Sequence, residues 1–102
     1  MSSSSSVRRN VGQFALGQRT VTRLAQETLP QHSILDCFSR HAKGDFGDVC
    51  SEDFEANLDA IAEGLRILST YRCEDQQGEK VKVYVITEAD RSKTTLLLAE
   101  EY

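Results

Sequence analysis

The chain has 102 residues, 12 of them basic and 16 acidic, for a net charge of −4. That balance, with the basic residues dispersed, argues against the phosphate backbone of a nucleic acid as a partner. No run approaches the ~20 apolar residues that cross a bilayer, so a membrane partner is not expected, and the length fits one domain.

The opening stretch MSSSSSVRRN reads as a solvated tail over residues 1–10. Its serines bury too little surface to offset the entropy of ordering them. A secretory signal is not expected, because no apolar block follows Arg8 and Arg9. Residues 11–102 are expected to form a single domain. Cys37, Cys50 and Cys73 are odd in number and lack a CxxC spacing. They fit a reducing compartment better than a disulfide framework, so the expected location is cytoplasmic.

Phe14 and Leu16 alternate with polar neighbours, and Thr20, Val21 and Thr22 are β-formers, so residues 12–24 read as a strand broken near Gly17. Pro30 suits the first turn of a helix running from Gln31 to Lys43. Ile34, Leu35, Phe38 and Ala42 form its apolar stripe, His41 and Lys43 complement the dipole, and Gly44 is a natural stop. The loop GDFGDVC follows, with Phe46 placed to anchor it. Ser51 reads as the N-cap of a second helix, in which Phe54, Leu58, Ile61, Ala62 and Leu65 form the apolar stripe and Gly64 the end. The last third reads as strands 65–73, 81–87 and 94–102 joined by short polar links. The expected fold is α+β, in the order β-α-α-β-β-β, with two amphipathic helices on one face of an antiparallel meander. Leu96 to Leu98 would then form an apolar edge, and a second copy covering it would make a homodimer.

Two polar segments hold the candidate chemistry. In TEADRSKTT, Asp90 and Ser92 suit a turn, while Glu88, Asp90 and Arg91 offer a cluster for an anion or a protein partner. In RHAKGDFGD, His41, Asp45 and Asp48 are the residue types of an acid/base or metal group, although capping and turn formation also account for them. Arg40, His41, Asp45, Asp48, Glu88, Asp90 and Arg91 are therefore the candidate binding residues. Cys37, His41 and Cys50 resemble part of a zinc site, but no spacing enforces it. The sequence names no catalytic residue, no metal ligand set and no cofactor, and GDFG lacks the lysine of a phosphate loop.

Over residues 34–102, the segments RHAKGDFGD and ITEADRSKTT resemble a group of small bacterial proteins of unknown function. Genes of that group are often carried on plasmids and other mobile elements, and are labelled plasmid-related or restriction-system subunits. Nothing in this chain resembles the methyl-donor-binding or catalytic motifs of a restriction methyltransferase, so the second label is discounted. The resemblance highlights Arg40, His41, Gly44, Asp45, Phe46, Gly47, Asp48, Asn57, Thr87, Glu88, Asp90, Arg91, Thr94 and Thr95. Phe46 stands where that group more often carries tryptophan. Two motifs in one small domain suggest a link, with Arg91 pairing with Asp45 or Asp48 to fix the helices against the sheet. The functional expectation is an accessory protein that binds a protein partner, such as a host or defence complex. The alternative is a small enzyme using His41, Asp45, Asp48 and Arg91.

Overall fold

The computed structural model describes residues 14–102; the Ser-rich tail and the first two residues of the expected strand 12–24 lie outside them. Strand β1 spans Gln18–Val21, followed by helices α1 (Arg23–Thr28), α2 (Gln31–Ala42) and α3 (Ser51–Glu63). Strands β2 (Ile67–Glu74), β3 (Lys80–Thr87) and β4 (Lys93–Leu98) complete the sheet, and a 3₁₀ turn covers Ala99–Glu101. The fold is α+β, as the order of periodicities implies.

The sheet order is β1-β4-β3-β2. β2, β3 and β4 form the expected antiparallel meander, but β1 runs parallel to β4, so the sheet is mixed. A parallel neighbour needs a crossover, and the three helices between β1 and β2 supply it. The expected strand 12–24 is in fact two elements. Thr22 ends β1 and caps α1, its Oγ1 accepting from Ala25 N–H and donating to the Glu101 carboxylate. Side-chain capping overrides the β preference of Thr22 and lets the chain turn onto the sheet.

The expected edge at Leu96–Leu98 is a correction as well. β4 lies between β1 and β3, and Leu96 and Leu98 are buried within the chain. The apolar edge that motivated a homodimer is thus closed by β1.

Helix α2 buries Ile34, Cys37, Phe38 and His41, spaced i, i+3, i+4 and i+7. Leu35, expected in the stripe, is instead 58% exposed. Ser51 is the first residue of α3 rather than its cap, and Cys50 precedes the helix without a capping side-chain bond. Ala62 and Leu65 also lie outside the core, because α3 turns Asn57 and Ala60 inward. The main core joins Ala25, Leu29, Ile34 and Phe38 to Tyr71, Val83, Val85 and Leu96. A second cluster packs Phe46, Ala60 and Ile67 beneath Phe54 and Leu58. The anchor role read for Phe46 therefore holds.

The outer edge of β2 is sealed over its first half. Asn57 Nδ2 donates to the Leu68 carbonyl at 2.8 Å, and Leu68 N–H returns a bond to Asn57 Oδ1 at 3.2 Å. Thr70 N–H donates to the Phe46 carbonyl at 3.0 Å, and Asp48 N–H to the Thr70 carbonyl at 2.6 Å. A helix side chain and a loop backbone thus act as a fifth strand along the exposed half of an edge.

Candidate functional site

His41 is wholly buried, with Nδ1 2.5 Å from Ser69 Oγ and Nε2 2.8 Å from Thr87 Oγ1. Thr87 Oγ1 lies 2.7 Å from Thr94 Oγ1, and Thr94 Oγ1 donates to the Leu16 carbonyl at 2.8 Å. A hydroxyl has one hydrogen, so these contacts fix a direction. Thr94 spends its hydrogen on Leu16, so Thr87 donates to Thr94. Thr87 must then accept from His41 Nε2–H, and in a ring that burial keeps neutral Nδ1 accepts from Ser69. The imidazole is held neutral, as the Nε2–H tautomer, in a chain joining α2, β2, β3, β4 and the segment before β1. Burial pushes its pKa down to about 4.

The loop after α2 holds two ion pairs. Arg40 Nε meets Asp45 at 2.8 Å, and Arg72 Nε meets Asp48 at 3.0 Å. Between them, Tyr71 Oη donates to the Asp45 carbonyl at 2.6 Å, and the Arg40 guanidinium lies 4.6 Å from the Tyr71 ring. The guanidinium of Arg40 holds the Asp45 carboxyl below its usual range. Both pairs are half-exposed, so each contributes about 1 kcal/mol at most.

Arg91 pairs with neither aspartate, which overturns the link expected between the two motifs. Its Nη1 donates to the carbonyls of Leu65 at 2.7 Å, Glu88 at 3.2 Å and Ala89 at 3.2 Å, and its Nη2 to that of Ala60 at 3.0 Å. A planar fork of donors suits four carbonyls, two at the negative end of α3 and two in its own turn, better than a single carboxylate. The two motifs still tie helix to sheet, but Arg91 does so from the end of α3, while the aspartates act on the loop. Asp90 accepts from Ser92 N–H at 2.9 Å, as a turn aspartate should. Glu88 contributes its backbone, and its carboxylate meets no arginine among the described residues.

Arg91 also has φ 62°, the one non-glycine residue at positive φ among those described. Arg91→Ala is expected to cost about 2 kcal/mol through the lost charge-assisted bonds. Arg91→Gly loses the same bonds but relieves the left-handed strain, so it should be more stable than Arg91→Ala by about 1 kcal/mol. Urea titration of both variants checks the order. Equal midpoints would mean that the backbone stores no strain there.

The chain matches no protein-family model, no curated protein and no solved structure. The chemistry of the site is therefore read from its own geometry.

Of the candidate residues, Arg40, Asp45 and Asp48 gather on one surface beside Tyr71 and Arg72. His41 lies beneath it with both nitrogens occupied. Glu88, Asp90 and Arg91 sit apart, at the β3–β4 turn. No group of three or more His, Cys, Asp or Glu side chains is placed to hold a metal among the described residues.

Two features escaped sequence reading. The first is the face of the sheet away from the helices. Register places Thr20, Thr95, Ile86 and Leu68 in one row across it, then Leu97, Tyr84 and Thr70, then Lys82 and Arg72. The strands gave the alternation, but only strand order puts these residues side by side. The Tyr102 ring leans on Tyr84 at 5.4 Å, and Arg66 donates to the Tyr102 hydroxyl. The second is the approach of Cys37 to Cys73, whose Sγ atoms are 3.5 Å apart although 36 residues separate them.

Proposed function

We propose that this protein works by binding another protein, and that the contact is the helix-free face of the sheet. The observation that carries this reading is the composition of that face. Leu68, Tyr84 and Leu97 remain half-buried there, and the only cover among the described residues is the C-terminal 3₁₀ turn with Tyr102 against Tyr84. A four-stranded sheet needs apolar residues on one face only, and the helices already cover the other. Apolar rows on the second face gain from a partner, and tyrosine with flanking arginine is the side-chain chemistry enriched at binding hot spots. Thr20, Thr22 and Thr95 border the apolar rows at one end, with Lys82 and Arg72 at the other.

The enzyme reading draws less support from the same geometry. Both His41 nitrogens are engaged by buried hydroxyls, Arg91 is spent on backbone carbonyls, and the two aspartates are each engaged by an arginine. An accessory role on a mobile element rests on the sequence resemblance alone.

Leu97→Glu is the test. Its side chain leaves the fold intact, so a melting temperature within a few degrees of the parent is expected. Capture of a protein partner from host lysate should fall at least tenfold. Asp90→Ala, at the remote strand turn, should capture normally. Loss of capture by Asp90→Ala with Leu97→Glu unaffected would move the contact to the turn and overturn the assignment. A concentration-dependent dimer in sedimentation velocity, abolished by Leu97→Glu, would make the partner a second copy.

A further inference from the structure

Cys37 projects from α2 and Cys73 from the helix side of β2. Cys37 is 2% exposed, whereas Cys73 is half-buried and lines an open cavity of about 500 Å³. Arg40 and Arg72 line the same cavity. Each guanidinium spends one or two of its five donors on an aspartate and keeps the remainder. One thiol is thus reachable, the second waits 3.5 Å behind it, and the donors of Arg40 and Arg72 line the entrance together with a single carboxylate, Asp36.

We propose that Cys37 and Cys73 form a two-thiol site that reduces small, carboxylate-bearing disulfides and closes into a reversible Cys37–Cys73 bond. The Cys73 thiolate attacks one sulfur of the small disulfide. The disulfide bond breaks, a Cys73 mixed disulfide forms, and the first thiolate leaves and takes up a proton. Cys37 then gives up its proton and attacks the Cys73 sulfur, expelling the second small thiolate, which is protonated in turn. Two protein thiols are oxidised by two electrons, and one small disulfide is reduced to two thiols.

The roles follow from position. Only Cys73 faces the cavity, so it is the attacking sulfur. The hydrogen bond from Cys37 draws its pKa down to about 7 against the opposing effect of burial, and Arg40 and Lys80 help while Asp36 opposes. Cys37 is shifted upward, first by the shared hydrogen bond and then by burial, so it stays protonated until the mixed disulfide forms. Free carboxylates on the incoming disulfide match the unspent donors of Arg40 and Arg72. Cys50 is exposed and belongs to no such pair.

The test uses the full chain carrying Cys50→Ser, with oxidised glutathione as the probe and intact mass as the readout. The expected product is lighter by two hydrogens, carries no adduct, and returns to the starting mass with dithiothreitol. With Cys37→Ser added, the mixed disulfide should persist and map to the peptide containing Cys73. With Cys73→Ser added instead, no adduct should form on the folded protein. The proposal is overturned if the two-thiol protein keeps both thiols reduced while folded yet reacts once unfolded in urea. It is equally overturned if that protein accumulates a lasting adduct, because Cys37 would then fail to resolve it. Cystamine, a small disulfide with amines in place of carboxylates, should react at least threefold more slowly relative to its rate with free cysteine. Equal relative rates would remove the two arginines from recognition.

Discussion

Gly47→Ala is expected to destabilise the protein by about 3–5 kcal/mol, enough to unfold a marginal domain of this size. Gly47 has φ 76°, which an alanine adopts at a cost of about 1–2 kcal/mol. Space is the larger obstacle. A Cβ at this position would collide with the Thr70 carbonyl oxygen and with the Tyr71 ring. The loop would have to move off β2, breaking the bonds from Thr70 N–H to Phe46 and from Asp48 N–H to Thr70. The edge of the sheet would open, and Phe46 would lose its seat in the second core cluster. Gly64 supplies the control. Its φ is 72°, yet a Cβ there meets nothing within 4 Å, so Gly64→Ala should cost only about 1 kcal/mol. Equal losses in the two variants, measured by urea unfolding, would show that backbone conformation alone matters and that the loop does not clasp β2.

Periodicity carried α2, α3 and the three strands of the meander, because each buries one stripe or one face, but the six residues of α1 (Arg23–Thr28) are too short to show one and were missed. It could not place β1. Four residues of alternating character specify a strand but not its neighbour, and pairing with β4 depends on a crossover whose path the helices determine. The same gap hid the Cys37–Cys73 approach and the helix-free face, since both arise from elements distant in sequence. The polar motifs were legible as residue types, but their partners were not. Arg91 and two nearby motif aspartates suggest an ion pair, yet backbone carbonyls at a helix end compete for a guanidinium and win when the fork fits several at once. His41 was read through its place near the end of α2, where a cationic ring would favour the dipole. Burial reverses that reading, because a ring enclosed by Ser69, Thr87, Phe14 and Phe46 has no room for a charge.

That neutral ring makes stability depend on pH in a predictable window. In the unfolded chain His41 takes up a proton near pH 6.5, whereas in the folded protein it does so only near pH 4. Between those values the unfolded state binds more protons, so acidification favours unfolding. His41 contributes fully above pH 6.5, and its contribution falls as pH drops towards 4, where the loss levels off at about 3 kcal/mol. His41→Leu separates this group from every other. At pH 7 the variant should be less stable by about 2–4 kcal/mol, because the Ser69 hydroxyl loses its acceptor and Thr87 loses a donor. As the pH falls to 4 the two stability curves should converge, since the leucine carries no proton to lose or gain. Curves that stay parallel would mean that His41 takes up its proton in the fold as readily as in the unfolded chain, and the bond from Ser69 to Nδ1 would then run the other way. Imidazole ¹⁵N spectra of the parent test that chain directly. They should show a neutral ring with the hydrogen on Nε2 at pH 5.5, where a free histidine is mostly cationic.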